Sequence, residues 1–487
     1  MASSSPSTEL SPADGLRRGS PSGAGVDSRE ILGFLDDVEA AGLELHDLML
    51  WRDGAVVAEG WHWPYSGERL RITHSMTKSV TACAIGMLVD AGRLTLDRRV
   101  ADFFREITLD PDSRAARMTV EDLLTMRSGQ GVEVSGSIWR GIATSWIAEF
   151  FRIPFDHEPG TTYVYSSAAS YMLSAIVTRI TGETMHDFLK PRLFDPLGIT
   201  NIHWDIGPDG INPGGNGISF TTADGLKLGI LHAQRGMWRG QRLLSEQWVA
   251  EATRTHTGQP GDQYGYHWVT GDGYFAALGV FVQMVRVFPE ANAVLAINGA
   301  MEESRVVLPH LGRHFPAAFR NETDAAADAA LAERLAGWRA PPRFVSDTPE
   351  NPAAFAGRWA VADNDATDNK GLTALEFDFG PDSARITLHD AEGAHSVVAA
   401  RDGWMLAPAY LPGADLHHGY RMDGLPVAAG LRWRAANRIE LVVHFLESAF
   451  RDTFVFTVDG GRLAMDRSVN INSGARAWPT ITAARAG

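Results

Sequence analysis

The residue pattern changes near residue 350, and this change divides the chain into two parts that must fold differently. Residues 321–350 predict a helix followed by a Pro-rich linker. Beyond them, short β-like runs alternate with turn residues such as Asp459-Gly460-Gly461. The runs are 357–361, 374–379, 384–389, 396–400, 403–407, 429–433, 439–444, 453–458 and 462–466. Because short strands at this spacing are typical of a barrel or a sandwich, we predict a C-terminal, all-β, barrel-like domain over residues 351–487.

The part before the linker has the pattern of an α+β domain, which we assign to residues 27–320. A helix over 28–41 leads into strand-like runs at 45–51 and 55–63, and the Asp53-Gly54 pair between them is a hairpin signal. Helical patterns follow at 120–126, 145–151, 171–181, 222–235 and 245–252, strand patterns at 264–269, 274–288 and 293–298, and a last helix at 304–319. Strands at both ends predict one antiparallel sheet, flanked by helices and completed by distant parts of the chain, with a helical lobe inserted.

Composition limits the class of protein. The length of 487 residues and the apolar fraction of 45% are typical of a soluble protein with two domains. The net charge of −15 argues against nucleic-acid and anionic-membrane partners. No apolar run of about 18 residues predicts a membrane span, and the first residues lack the apolar core of a secretory signal. We therefore expect a cytoplasmic protein, and we leave homodimer formation open.

Two further features concern order and redox chemistry. Residues 1–26 are rich in Ser, Pro, Gly and Ala and have almost no large apolar side chains, so we predict a disordered tail. Cys83, the only cysteine, lies on an apolar helix face and is interpreted as a small buried hydrophobe. A single cysteine allows no internal disulfide.

A candidate reactive pair stands at the start of an apolar helix pattern. Ser75-Met76-Thr77-Lys78 places a serine three residues before a lysine, and apolar residues then recur at helical spacing as far as Leu88. Residues three apart share a helix face, so the hydroxyl and the amine can face one cleft as nucleophile and base. A helix N-terminus also offers unpaired N–H groups where negative charge develops. Taken alone, the spacing favours the simpler interpretation, a capping serine beside a surface lysine.

Other chemical groups carry little signal by themselves. A phenol close to Lys78 can relay a proton, and Tyr165 is the candidate, although alone it is better explained as an aromatic that packs on the next helix. The motifs G-x-S-x-G, H-E-x-x-H, C-x-x-C, the P-loop and a strand-linked G-x-G-x-x-G do not occur. His417-His418 is better explained as a solvated loop pair than as metal ligands. We predict no metal site and no cofactor.

Five stretches then occur in a fixed order along the first domain. They are SMTK at 75–78, LLTMRSG at 123–129, PG at 159–160 with YSS at 165–167 and YML at 171–173, PLGI at 196–199, and GVFVQ at 279–283. Together they resemble the S-x-x-K, LLTHTSG, Y-x-N, PLGM and GxxGQ segments of serine hydrolases with the class C β-lactamase and penicillin-binding-protein fold. This superfamily includes family VIII carboxylesterases, D-amino-acid peptidases and nylon-oligomer hydrolases. Five ordered matches make the reactive interpretation of Ser75 the better one.

The resemblance implies a role for each matched residue. Ser75 would be the acylated nucleophile, Lys78 its activating partner and Tyr165 the general acid and base. The backbone N–H groups of Ser75 and Val280 would hold the oxyanion. The residues expected around the substrate are Ser167, Gly279, Trp146, Trp139 and Tyr264.

The sequence also departs from the family pattern at three positions. Ser167 stands where the family has the Asn of Y-x-N, and Val282 replaces the second glycine of GxxGQ, which is expected to narrow the pocket or shift the strand. The strand Leu278-Gly279-Val280 has no counterpart of the K-T-G lysine. In the β-lactamases this lysine helps to hold the carboxylate of the antibiotic, so inefficient β-lactam turnover is expected.

These observations lead to a serine hydrolase that cleaves a small carboxylic ester or amide through an acyl-enzyme on Ser75. Two alternatives stay open. The same acyl-enzyme can serve an acyltransferase that excludes water, and a catalytically weak relative can bind a ligand in the manner of a penicillin-binding protein. The absence of the carboxylate-binding cation favours activated esters among the substrates.

Overall fold

The computed structural model describes residues 13–134, 139–258, 263–363, 371–411 and 424–486. His417 and His418 lie outside these residues, so their interpretation as a loop pair stays a prediction. The helices are α1 (Ser28–Ala40), α2 (Thr77–Asp90), α3 (Arg114–Arg117), α4 (Val120–Leu124), α5 (Trp146–Phe150), α6 (Ser167–Thr181), α7 (Met185–Leu189), α8 (Asp195–Leu197), α9 (Thr222–Ala233), α10 (Glu246–Thr253), α11 (Leu308–Ala318), α12 (Ala325–Gly337) and α13 (Pro352–Phe355).

The strands follow the predicted division of the chain. Those before the linker are β1 (Glu44–Arg52), β2 (Ala55–Trp61), β3 (Arg71–Ile72), β4 (His203–Trp204), β5 (Ile218–Phe220), β6 (Met237–Trp238), β7 (Gln241–Arg242), β8 (Val269–Gly271), β9 (Tyr274–Gly279), β10 (Gln283–Phe288) and β11 (Ala293–Ala300). Those after it are β12 (Gly357–Asp363), β13 (Ala374–Phe379), β14 (Ser383–His389), β15 (Ala394–Arg401), β16 (Met405–Pro408), β17 (Pro426–Ala435), β18 (Arg438–Phe445), β19 (Arg451–Asp459), β20 (Arg462–Val469) and β21 (Ile481–Arg485).

A six-stranded antiparallel sheet in the order β2-β1-β11-β10-β9-β8 forms the centre of the N-terminal domain. β1 lies beside β11, with Leu48 opposite Ile297, so distant parts of the chain complete the sheet as predicted. Successive side chains of a strand point to opposite faces. Leu48 and Leu50 therefore join the apolar cluster beneath α1 and α11, whereas Met49 and Trp51 join the cluster of the helical lobe. Both faces are covered, which explains why the stretch 48–51 of β1 is apolar throughout.

The N-terminal segment differs from the prediction. Residues 13–26 are ordered, so the prediction of a disordered tail over 1–26 is wrong for this stretch, while residues 1–12 lie outside the described chain. Arg18 forms a parallel bridge with Val56 on the free edge of β2, and its guanidinium lies 2.7 Å from carboxylate oxygens of Asp14 and Glu59. Val26 is fully buried. A few anchoring residues and an open strand edge order a segment whose average composition is that of a disordered one.

The predicted single strand over 274–288 is also wrong, because two strands occupy this stretch. β9 and β10 form a hairpin whose three-residue loop is Val280-Phe281-Val282, with Gln283 paired to Gly279. Phe281 and Val282 have left-handed φ angles of 67° and 70°. Neither residue type favours that conformation, so the sequence contained no turn signal. Upstream, the predicted strand over 264–269 is reduced to isolated bridges at Tyr264 ahead of β8.

The C-terminal domain is a closed barrel, as predicted. Strands β12 to β15 and β17 to β21 pair around the ring, a parallel contact between Ala400 of β15 and Gly430 of β17 closes it, and β16 extends from β17. Its interior is filled by apolar side chains, among them the fully buried Trp359, Trp433 and Phe454. The sequence did not reveal β21, whose short, Ala-containing run has little β propensity of its own.

Candidate active site

Ser75 and Lys78 lie at the entry to α2. Ser75 is in a 3₁₀ turn, His74–Met76, that precedes the α-helix, and Lys78 occupies the first turn of α2. The helix is buried on nearly every side, and its buried residues include the polar Ser79 and Thr81 as well as the apolar ones. Lys78 is only 1% exposed, whereas Ser75 is half-buried and faces a cavity. The arrangement gives the serine access to solvent and encloses the lysine.

The lysine ammonium is surrounded by neutral acceptors. Lys78 Nζ donates to Ser75 Oγ at 3.2 Å, to Ser167 Oγ at 3.2 Å and to the Gly215 carbonyl at 2.9 Å. These three acceptors match its three N–H donors. Within the described residues, no carboxylate forms an ion pair with Lys78. The described surroundings of Lys78 are therefore those of a hydrogen-bond donor to neutral groups rather than those of a partner in an ion pair.

A glycine-rich loop brings the third acceptor into place. The loop over residues 212–217 lies against α6 so closely that a Cβ on Gly214 would lie 2.1 Å from the Ser170 carbonyl oxygen, and one on Gly215 would lie 3.0 Å from that of Ser167. Thr81 on α2 donates to the Gly214 carbonyl at 2.7 Å. Gly215 is therefore a site residue that sequence reasoning missed. The run Gly214-Gly215 was the signal that could have indicated it.

Tyr165 lies next to the lysine, as the sequence predicts. Its ring centroid is 4.6 Å from Lys78 Nζ. Tyr264 packs edge-on against Tyr165 and Tyr163, with centroid distances of 6.4 Å and 5.7 Å. Burial, and then the two neighbouring phenols, raise the pKa of Tyr264 well above its ordinary value. Tyr264 is consequently a neutral wall, and Tyr165 is the half-buried phenol at the lysine.

The cavity in front of Ser75 has a volume of about 690 Å³. Its described lining includes six of the predicted residues, namely Ser75, Tyr165, Ser167, Tyr264, Gly279 and Val280. The predicted pocket residues Trp139 and Trp146 are not among them. They are 3% and 4% exposed and pack on each other and on Tyr171, with centroid distances of 5.7 Å and 5.1 Å. Their prediction as substrate contacts is wrong because these indoles fill the core of the helical lobe instead.

His267 is a wall residue that the sequence did not reveal. Its Nδ1–H donates to the Leu124 carbonyl at 3.0 Å, which leaves Nε2 to accept from the Ser170 hydroxyl at 2.9 Å. Burial, and then the nearby Lys78 charge, lower the pKa of His267 to about 3. The imidazole is therefore neutral at physiological pH. No local pattern marks it, because its partners come from two distant helical segments.

The strand on the other side of the cavity approaches the serine closely. A Cβ on Gly279 would lie 2.4 Å from the Thr73 carbonyl oxygen, so only glycine fits there. Ser304 Oγ donates to the Gly279 carbonyl at 2.9 Å. The strand itself carries no cation, as its sequence shows. Of the described residues that line the cavity, Arg305 on the loop after β11 carries the fixed positive charge, and Glu133, Glu302 and Glu303 carry carboxylates.

Comparisons with known proteins agree with this architecture. The sequence is 28% identical to penicillin-binding protein 4 of Amycolatopsis lactamdurans over 276 residues, which cover 47% of this chain and 72% of that one. It is 29% identical to lovastatin esterase of Penicillium rubens over 152 residues, covering 26% of this chain and 37% of that one. The chain thus spans little more than a third of the esterase.

A similar fold is known from a penicillin-binding protein homologue of Caulobacter crescentus. Its structure has a TM-score of 0.50 at 18% identity and covers 63% of this chain and 99% of that one. None of the helices in the described parts of the chain combines the length and apolar character that a membrane crossing requires. The sequence model of the Beta-lactamase family matches residues 35–315, more than half of the chain and every described residue that lines the cavity. The chain therefore belongs to the beta-lactamase family.

Proposed function

We propose that this protein is a serine hydrolase that forms an acyl-enzyme on Ser75 and that its preferred substrates are small carboxylic esters. The observation that carries the proposal is the 3.2 Å contact between Ser75 Oγ and Lys78 Nζ at the edge of an open cavity. Members of the beta-lactamase family are generally serine hydrolases, and the similarity to an esterase supports the same class of reaction.

The reaction would proceed in two steps. In the first, Lys78 in its neutral form takes the Ser75 proton as Oγ attacks the acyl carbon, and the leaving alcohol departs with a proton relayed through Tyr165. In the second, water attacks the acyl-enzyme, the carboxylic acid is released and the proton returns to Ser75. Proton relay of this kind contributes about 10²–10⁴ in rate. Backbone N–H groups of Ser75 and Val280 would hold the oxyanion, each worth about 10²–10³.

The surroundings of the cavity support an ester over a β-lactam. Strand β9 and the loop after it offer Leu278 and Val280 where a carboxylate-binding cation would be needed, and three carboxylates line the cavity. Among the described lining residues these carboxylates outnumber the one arginine, Arg305, so a substrate with its own carboxylate near the scissile bond would meet net like charge there. Neutral esters avoid this repulsion, and their leaving groups need less protonation than an amine.

The test is trapping of the acyl-enzyme. The protein is mixed with p-nitrophenyl esters of several acyl lengths, quenched early and examined by intact and peptide mass spectrometry. We expect a burst of p-nitrophenol and an acyl increment on the peptide that contains Ser75. Ser75→Ala should remove both signals. Ser174→Ala is the control, because Ser174 is fully buried outside the described cavity lining and its hydroxyl has no hydrogen-bond partner among the described residues.

Two outcomes would change the proposal. Absence of both adduct and burst with every ester would reject the acyl-enzyme on simple esters. An adduct whose breakdown accelerates when an amine or alcohol is added, with the acyl group recovered on that acceptor, would assign acyl transfer instead of hydrolysis.

A further inference from the structure

The C-terminal barrel contacts both backbone segments that border the reactive serine. We propose that the barrel is a positioning element of the active site: its loop Leu446–Phe450 holds the segments that carry the N–H groups of Ser75 and Val280. This inference rests on the function proposed above and extends it to a domain that contributes no residue to the described cavity lining. Phe450 and Phe281 would be positioning residues, since neither has a group that reacts.

The first line of support is the loop that carries Val280. Phe281, the next residue, is 1% exposed and belongs to the apolar core of the barrel rather than to that of its own domain. Its ring packs edge-on against Phe450, with the centroids 5.7 Å apart. Left-handed φ angles at Phe281 and Val282 cost conformational energy, so this loop persists only because its surroundings hold it. The barrel supplies part of that constraint.

Backbone hydrogen bonds supply a further constraint on this loop. The Gly299 N–H donates to the Val282 carbonyl at 2.7 Å, and the Met301 N–H donates to the Phe281 carbonyl at 3.2 Å. Gly299 lies near the end of β11 and Met301 directly follows this strand, so both donors belong to the N-terminal domain. The sheet therefore anchors the loop by its backbone, and Phe450 anchors it by a side chain.

The second line of support is the segment that leads to Ser75. Strand β3 pairs with β5 on one edge, and on its other edge the Ile72 N–H donates to the Glu447 carbonyl of the barrel at 2.8 Å. The guanidinium of Arg71, which is buried, donates to the Leu446 carbonyl at 3.0 Å. The barrel loop thus forms hydrogen bonds with the edge of β3 that β5 leaves unpaired, and the contact at Ile72 lies three residues before Ser75.

The two segments also meet each other through one ring. His74 precedes Ser75, has a left-handed φ of 49° and packs edge-on against Phe281 with a centroid distance of 5.6 Å. The rings of His74, Phe281 and Phe450 therefore form a continuous line from the residue before the serine to the barrel. Loss of Phe450 would loosen Phe281 and, through it, both borders of the cavity. A shift of about 1 Å in such groups can cost on the order of 10²-fold in rate.

The experiment compares two phenylalanines of the barrel core. Phe450→Ala removes the contact with Phe281. Phe377→Ala is the matched control, because Phe377 is equally buried and its described ring contacts, Phe355 and Phe456, lie within the barrel domain. Both full-length variants are assayed with a p-nitrophenyl ester well below their measured Tm. We expect Phe450→Ala to lower kcat about 10–100-fold with KM changed less than about 3-fold, and Phe377→Ala to keep kcat within about 2-fold.

A second measurement does not depend on activity. Amide hydrogen exchange of a peptide that spans residues 279–284 should become faster in Phe450→Ala and stay unchanged in Phe377→Ala. Phe450→Leu, which keeps most of the apolar volume, should restore kcat to within about 5-fold of the wild type. If the alanine variant does not fold, Phe450→Leu and Phe377→Leu are compared in the same way. We then expect a loss of kcat in Phe450→Leu, smaller than that for alanine, and no loss in Phe377→Leu.

Each result decides the inference. Equal effects of the two alanine variants on kcat, or faster exchange in Phe450→Ala without a loss of kcat, would overturn it. A wild-type protein that forms no acyl-enzyme would overturn the proposed function, and the exchange comparison would then still decide whether the barrel holds the loop.

Discussion

Lys78 and Lys227 are both 1% exposed, yet their surroundings differ. Lys227 lies on α9, where its ammonium is 3.0 Å from Asp224 Oδ1 one helical turn away, and it donates to the Gly198 carbonyl. Lys78 donates to two serine hydroxyls and a carbonyl. Burial of a charge without a countercharge is costly, whereas burial of an ion pair is compensated in part. The lysine at the cavity therefore departs from the arrangement that stability alone would select.

The two hairpin turns of the central sheet show the same contrast. The β1–β2 turn is Asp53-Gly54, with φ angles of 47° and 93°, and these residue types favour a two-residue turn with positive φ. The β9–β10 loop uses Phe281 and Val282 at similar angles, where they are strained. At one end of the sheet the turn residues favour a positive φ, whereas at the end that borders the cavity they do not. Conflicts between local preference and fold are expected at functional sites.

The comparison of the two lysines predicts the largest effect. Lys78→Met should lower kcat/KM for a p-nitrophenyl ester by about 10²–10⁴, since it removes the proposed proton acceptor. Lys227→Met is the control and should keep kcat/KM within about 3-fold. Steady-state kinetics on both variants checks this. Comparable losses in the two would remove the functional distinction between the lysines.

The free energy of unfolding should fall more in Lys227→Met than in Lys78→Met, which is the opposite of the order expected for kcat/KM. Lys227→Met leaves Asp224 buried without its cation, so the free energy of unfolding should fall by about 3 kcal/mol. Lys78→Met leaves no carboxylate unpaired and should change the same quantity by about 1 kcal/mol or less. Denaturant unfolding at neutral pH measures both. A larger loss in Lys78→Met would show that this lysine is structural.

The strained loop can be tested with two valines. Val282 and Val285 are 0% and 1% exposed, but only Val282 has a left-handed backbone. Val282→Gly relieves strain of about 1–2 kcal/mol, whereas Val285→Gly adds a strand penalty of about 0.5–1 kcal/mol. The loss of unfolding free energy should therefore be about 1.5–3 kcal/mol smaller for Val282→Gly. Equal losses would mean that the loop stores no strain.

The free energy of unfolding should depend on pH through His267, a residue of the cavity wall. The folded-state pKa of His267, about 3, lies below its ordinary 6.5, so between these values the unfolded chain binds a proton that the folded chain does not. Stability should consequently fall as the pH drops from 6.5 towards 3. Between pH 7 and pH 5, His267→Gln should lose about 2 kcal/mol less than the wild type, at about 1.4 kcal/mol per pH unit. Urea unfolding at both pH values checks this, and an unchanged difference would contradict it.

Elements with their own local signals were predicted from the sequence. The β1–β2 hairpin has a pair of turn residues suited to its geometry, and most strands of the barrel are short β-like runs separated by turn residues. Ser75, Lys78 and Tyr165 were found because ordered motifs surround them, and the structure brings all three together. Their chemical roles stay predictions until an acyl-enzyme is observed.

Other features depend on tertiary contacts that no local pattern encodes. In the sequence, Trp139 and Trp146 cannot be distinguished from aromatic residues that line a pocket. Their place in the core becomes visible only from their ring contacts with each other and with Tyr171. His267 is isolated in sequence, because its partners are Leu124 and Ser170. The β9–β10 loop was missed for the opposite reason: its residues favour a strand, and the surrounding domains impose the turn.

The edge pairing of β3 has a consequence for protein synthesis. Arg71 and its carbonyl partner Leu446 are 375 residues apart in the chain. At about 5–20 residues per second, a ribosome would need on the order of 20–75 s to make the stretch between them. Throughout that time, the strand that leads to Ser75 lacks one neighbour. The strand that leads to Ser75 would thus gain this neighbour only after the chain has been made as far as Leu446.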